Sequence, residues 1–149
     1  MNKADASIVS DATTAILKNS KLRYGVTPEV AVKLLIILEE LMKNKHGTYF
    51  KSAMVSINEI VNMFKEELIK IKSFNPMTKN DPTREERLAK YDRLIEEFLN
   101  IFKQERLKKY ALMKSKSENA ELIDIAAELY KNLEDVLKRL IPKKEPEPA

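Results

Sequence analysis

From Tyr49 to Ser73 the apolar residues Phe50, Ala53, Met54, Ile57, Ile60, Val61, Phe64, Leu68 and Ile71 return at steps of three and four. An α-helix makes one turn every 3.6 residues, so this spacing gathers them into one stripe, where a strand would need strict alternation. The segment Thr48–Ile57 contains β-formers, but each apolar residue in it fits the helical stripe better. One long apolar stripe has to be covered by other elements. The rest of the chain offers only helices for that purpose: it has two glycines, and leucine, isoleucine, lysine and glutamate dominate it. Those straight-chain residues lose little rotamer freedom in a helix.

Gly25-Val26-Thr27-Pro28-Glu29 is a start signal, with Thr27 as N-cap, Pro28 at the first helical position and Glu29 against the positive end of the dipole. The helix it opens is expected to reach about Lys45 and to stop at Gly47. Between Val30 and Leu41 it is apolar nearly all round, the pattern of a helix covered on most sides, inside a bundle or under a partner. Asn75–Pro82 is expected as a polar loop. Asp81-Pro82 then repeats the cap-and-proline signal for a helix carrying Leu88, Tyr91, Ile95, Phe98 and Phe102. That register fails at Glu105 and Lys109, where Leu107, Tyr110, Ala111 and Leu112 take over another face, so a bend or break is expected near Gln104. After Ser115-Lys116-Ser117, with Ser117 as cap, a last helix on Leu122, Ile125, Ala126, Leu129, Leu133, Val136, Leu137 and Leu140 runs to about Leu140. Ahead of all these, Ala6 to Leu17 is a weaker amphipathic segment, a short helix or an arm with Ser7 or Ser10 as its cap.

The expectation is an all-α chain: an antiparallel four-helix bundle with a short additional N-terminal helix or arm and an extended C-terminal tail. Residues 1–141 form a single domain, and the Pro/Lys/Glu residues 142–149 form the tail. At 149 residues one domain can bury roughly two-thirds of the unfolded surface.

Chemistry is bounded mostly by exclusion. There is no cysteine and one histidine, His46, so di-iron and zinc helix motifs cannot be assembled. No glycine-flanked serine elbow and no phosphate loop occur. The adjacent pairs Glu39-Glu40, Glu66-Glu67, Glu85-Glu86 and Glu96-Glu97 point roughly 100° apart on a helix, so neighbours make no dyad. We therefore expect no enzyme, no cofactor, no metal and no small-molecule substrate. The longest apolar run, Leu34–Leu38, is too short for a membrane span, and the N-terminal residues lack the pattern of a signal peptide.

One stretch departs from routine. From Lys103 to Lys116 the cations Lys103, Arg106, Lys108, Lys109, Lys114 and Lys116 face one carboxylate, Glu105, a net +5. Lys103, Arg106 and Lys109 fall at three-residue steps where the apolar register is lost. Such a strip can hold nucleic-acid phosphates or an acidic protein wall, or it can be a solvated face. The surplus apolar surface of Val30–Leu41 likewise belongs to the core or to an interface.

Leu22, Tyr24, Pro28-Glu29-Val30 with Lys33-Leu34, and Lys51-x-Ala53 followed by Ile60-Val61-x-Met63, resemble a helical-bundle family of spindle-shaped, tailed archaeal viruses, the bicaudaviruses. The resemblance covers residues 17 to 76. It implies a viral coat protein that self-associates as a homo-oligomer and contacts DNA through the basic strip. The alternative within the family is an inhibitor of the host RNA polymerase that binds its DNA channel and represses transcription. Either would act in the virion or the host cytoplasm, and the resemblance transfers no functional residue by position.

Overall fold

The computed structural model describes residues 3–19, 25–72, 82–113 and 120–140. Among these the chain is all-helical, with six helices and no strand: α1 (Lys3–Lys18), α2 (Pro28–Met42), α3 (Gly47–Lys72), α4 (Pro82–Phe102), α5 (Glu105–Ala111) and α6 (Ala120–Leu140).

Local signals explain the start of α2 and the break after α4, and other boundaries differ from them. Thr27 is extended, and its hydroxyl accepts from the Val30 amide at 3.2 Å, satisfying one orphan donor of the first turn of α2. The helix stops earlier than expected, at Met42, with Lys43 as a right-handed C-cap. Gly47 does not terminate it; it opens α3 with an ordinary negative φ, and the Asn44 side chain turns the link by accepting from the His46 amide at 2.9 Å. The break near Gln104 is present: α4 ends at Phe102 and α5 starts afresh with Gln104 extended at its cap position. The N-terminal segment is a full helix starting at Lys3, so neither Ser7 nor Ser10 caps it. Ser10 instead shares a hydrogen bond of 2.6 Å with Ser52 of α3. Asp81 and Ser117, the expected polar loop except Pro82, and the expected tail at 142–149 lie outside the described residues.

One connected core takes residues from every helix. In α3, Phe50, Ala53, Met54, Ile57, Ile60, Val61, Phe64 and Leu68 are all buried, as the stripe requires. In α2 the buried positions are Ala31, Leu35, Leu38, Leu41 and Met42. The stripe of α4 is offset from expectation: Tyr91, Leu94, Phe98 and Ile101 are buried, while Ile95 and Phe102 only lean on the core. α6 buries Ile123, Ala126, Leu129, Leu133, Val136, Leu137 and Leu140. Each fully buried leucine or isoleucine contributes roughly 1.5–3 kcal/mol by leaving water.

The directions of the neighbours hold a surprise. α2 and α3 form the hairpin that a short link favours. Yet α3 and α6 touch with their chains running the same way: Lys51 pairs with Glu121, Asn58 and Asn62 with Asn132, and Lys65 with Asp135. α2 and α4 also run together, with Glu29 paired to Lys90 and Glu39 meeting Glu97. α3 and α4 barely touch, and α2 and α6 do not touch. Adjacent helices are therefore not uniformly antiparallel, because α4 packs on α2 rather than on its sequence neighbour α3, and α6 packs on α3 as well as on α5.

Candidate interaction surfaces

The basic strip divides in two. Lys103 sits in the short break after α4, so the three-residue spacing to Arg106 does not continue along one helix. Lys103, Lys108 and Lys109 are exposed and make no ion pair among the described residues. Arg106 turns inward. Its guanidinium donates to the carbonyl of Met42 at 2.8 Å and to that of Asn44, and lies 4.0 Å from the centre of the Phe50 ring. It thereby satisfies carbonyls that the end of α2 leaves without helical partners. Arg106 is accordingly a brace between α5 and the α2–α3 turn, not an outward contact. Leu107, buried beside it, and Tyr110, tilted against Phe50 at 5.3 Å, complete the anchored side of α5. Just beyond, Leu112 is 59% and Met113 37% exposed. Lys114 and Lys116 lie outside the described residues.

A second surface runs along α2. Three sides of this helix are occupied, by α1, α3 and α4. The fourth side exposes Val30, Ile36 and Ile37, with relative exposures of 41%, 52% and 41%. Lys33 lies between them at helical spacing and has no ion-pair partner among the described residues, while Glu29 is held by Lys90 and Glu40 by Lys43. The apolar surplus noted in the sequence is thus only partly absorbed by the core.

Beneath that surface lies a feature that the spacing rules pass over. Glu97 of α4 is 93% buried and faces Glu39 of α2. Burial pushes its carboxyl up to about 7, assisted by a proton shared with Glu39 and by the negative charge of Glu39 and Glu96, against a weak contrary pull from Asn100, whose amide donates at 3.4 Å. Neither Glu39-Glu40 nor Glu96-Glu97 forms a dyad with its own neighbour. Each supplies one member to a carboxyl pair between two helices. The trace in the sequence is faint: in adjacent carboxylates about 100° apart, one can face solvent while the other faces a neighbouring helix.

Other chemistry is sparse. His46 is exposed, edge-on to Tyr49 at 6.0 Å. Among the described residues no group of three or more histidine, aspartate or glutamate side chains is placed to hold a metal, and no helix is long and apolar enough to cross a membrane. An open groove of about 490 Å³ between α1 and α3 is lined by Thr14, Lys18, Ser52, Val55 and Glu59. A second of about 350 Å³ follows the parallel α3–α6 seam, where the Asn132 amide donates to Asn58 at 2.8 Å and to Asn62 at 2.9 Å. Both grooves are mixed in character, and neither converges charges on a point.

What remains is a helical module with two outward surfaces and no assembled reaction centre among its described residues. Against known families, the con80 domain of katanin matches residues 1–123. The chain belongs to the katanin con80 family. No curated protein and no solved structure matches it.

Membership in the con80 family overturns the viral resemblance, and with it the coat-protein and RNA-polymerase-inhibitor roles, the homo-oligomer, DNA and polymerase partners, and the virion as location. The structure explains how the resemblance arose. Its anchors are a helix cap with proline, and core positions such as Ala53, Ile60 and Val61, all fully buried. Residues of those types recur wherever two amphipathic helices form a hairpin, so they track helix packing rather than descent. The con80 match stops four residues into α6, although α6 supplies a large part of the core.

Proposed function

We propose that this con80 chain is a non-catalytic docking domain that binds the p60 catalytic subunit of katanin, the microtubule-severing enzyme, and works in the cytoplasm or at the centrosome. The observation that carries this reading is the family match over residues 1–123. The contact is the open side of α2. A helix covered on three sides and apolar on the fourth gains by accepting a partner there, and Val30, Ile36 and Ile37 supply the apolar area. Residues 1–141 act as one domain, in which α2, α3, α4 and α6 make a four-helix bundle with α1 and α5 as additional helices.

The test is calorimetric titration of the full chain with the p60 subunit. Wild type is expected to bind, and the triple variant Val30→Thr, Ile36→Gln, Ile37→Gln to bind at least tenfold more weakly with unchanged helicity. Burying the exposed remainder of two isoleucines is worth about 1 kcal/mol each, which corresponds to roughly thirtyfold in affinity. If wild type fails to bind p60, the function is wrong. If the triple variant binds as well as wild type, the function stands and the surface is wrong.

A further inference from the structure

The α5 end of the molecule combines two features that the fold does not need. The first is charge: Lys103, Lys108 and Lys109 are exposed and unpaired among the described residues. The dipole of α5 favours cations in its last turn, so Lys108 and Lys109 alone would be unremarkable there. The second feature is not accounted for by the dipole. Leu112 and Met113, three to five residues after those lysines, stand out in water. An apolar pair bordered by cations suits a surface that is covered part of the time.

The platform beneath is rigid. On the inner side of α5, Arg106 is fixed by two backbone carbonyls and the Phe50 ring, Leu107 is fully buried, and Tyr110 leans on Phe50. The outward lysines therefore project from a helix that is already ordered, which limits the entropy lost on binding.

We infer that α5 together with Lys103, Leu112 and Met113 forms a docking surface for an acidic amphipathic helix of another protein, with its apolar ridge on Leu112 and Met113 and its flanking carboxylates on Lys103, Lys108 and Lys109. Charge complementarity selects the acidic partner. The apolar pair selects a protein over a nucleic acid, because phosphates would gain nothing from Leu112 and Met113. Methionine's flexible thioether fits such a seat because it adapts to different apolar ridges. This surface is separate from the open side of α2 and does not depend on the catalytic-subunit reading.

The probe is a fluorescein-labelled synthetic peptide of about 16 residues, with leucines at helical spacing between glutamates, titrated with the full chain and followed by anisotropy. Saturable binding that weakens with salt is expected. Lys108→Gln with Lys109→Gln should weaken it at least tenfold and flatten the salt dependence. Leu112→Ser with Met113→Ser should also weaken it at least tenfold but keep the salt dependence. Far-UV circular dichroism should be unchanged in both, since all four side chains are exposed. The proposal is overturned if the peptide does not bind, or if polyglutamate or duplex DNA of equal charge binds as tightly. Loss of peptide binding in the α2 variant Ile36→Gln, Ile37→Gln, with both α5 variants unaffected, would overturn it as well.

Discussion

Replacing Glu97 by glutamine should make the protein more stable at neutral and alkaline pH and remove most of its pH dependence between 5 and 8. In the folded chain this carboxyl titrates near 7, against 4.5 unperturbed, because it is buried and shares a proton with Glu39. Folding therefore favours the protonated form. Below pH 4.5 both folded and unfolded chains hold the proton, and nothing is lost. As pH rises toward 7 the unfolded chain releases its proton and the folded chain must keep it or bury a charge, so stability falls and then levels off. One pKa unit is worth about 1.4 kcal/mol, so the loss is on the order of 3 kcal/mol. Glutamine has the same shape and donates to Glu39 without titrating. Among the described residues, the other shifted groups act elsewhere. The hydrogen bond donated by Lys65 lowers Asp135, whose contribution is lost only in strong acid, and the one Lys138 donates to Glu134 raises Lys138, whose contribution is lost only in strong alkali. The assay is urea unfolding followed at 222 nm, at half-unit steps from pH 5 to 8. Wild type should lose roughly 3 kcal/mol over that range while Glu97→Gln stays nearly flat, the two converging toward pH 5. Parallel slopes for the two proteins would refute the reasoning.

Two further outcomes test the packing. Arg106→Ala should cost about 2–4 kcal/mol in urea unfolding, since it strands the carbonyls of Met42 and Asn44 and removes the cation from the Phe50 ring, and Arg106→Lys should recover only part of that. Thr27→Ala should cost about 1 kcal/mol through loss of the α2 cap, and Thr27→Ser should restore it.

The helices were legible because each carries its own periodicity; Thr27-Pro28 and the long stripe of α3 needed no tertiary information. The break at Gln104 was visible for the same reason, as a lost register. Arg106 was not legible as a brace. Its spacing to Lys103 and Lys109 looks like a strip only if one helix runs through, and its true partners are carbonyls more than sixty residues away. The Glu39–Glu97 pair was hidden because each member has a nearer carboxylate that distracts from it. The parallel neighbours were hidden because short connections bias expectation toward hairpins, and which helices pair is set by which stripes find each other, not by local sequence. The family itself was misread from cap and core residues, which encode packing more than ancestry.

The parallel seam between α3 and α6 has a consequence for how the protein is made. Lys51 and Glu121, or Lys65 and Asp135, stand seventy residues apart in the chain. On the ribosome, α3 emerges long before the helix that covers it. Until α6 is free, the faces of Met54, Ile57, Val61 and Leu107 await their lid, and no shorter intermediate can close the core. The stripe of α3 thus stays an open apolar surface until synthesis has passed α6, and closing the core falls to that helix.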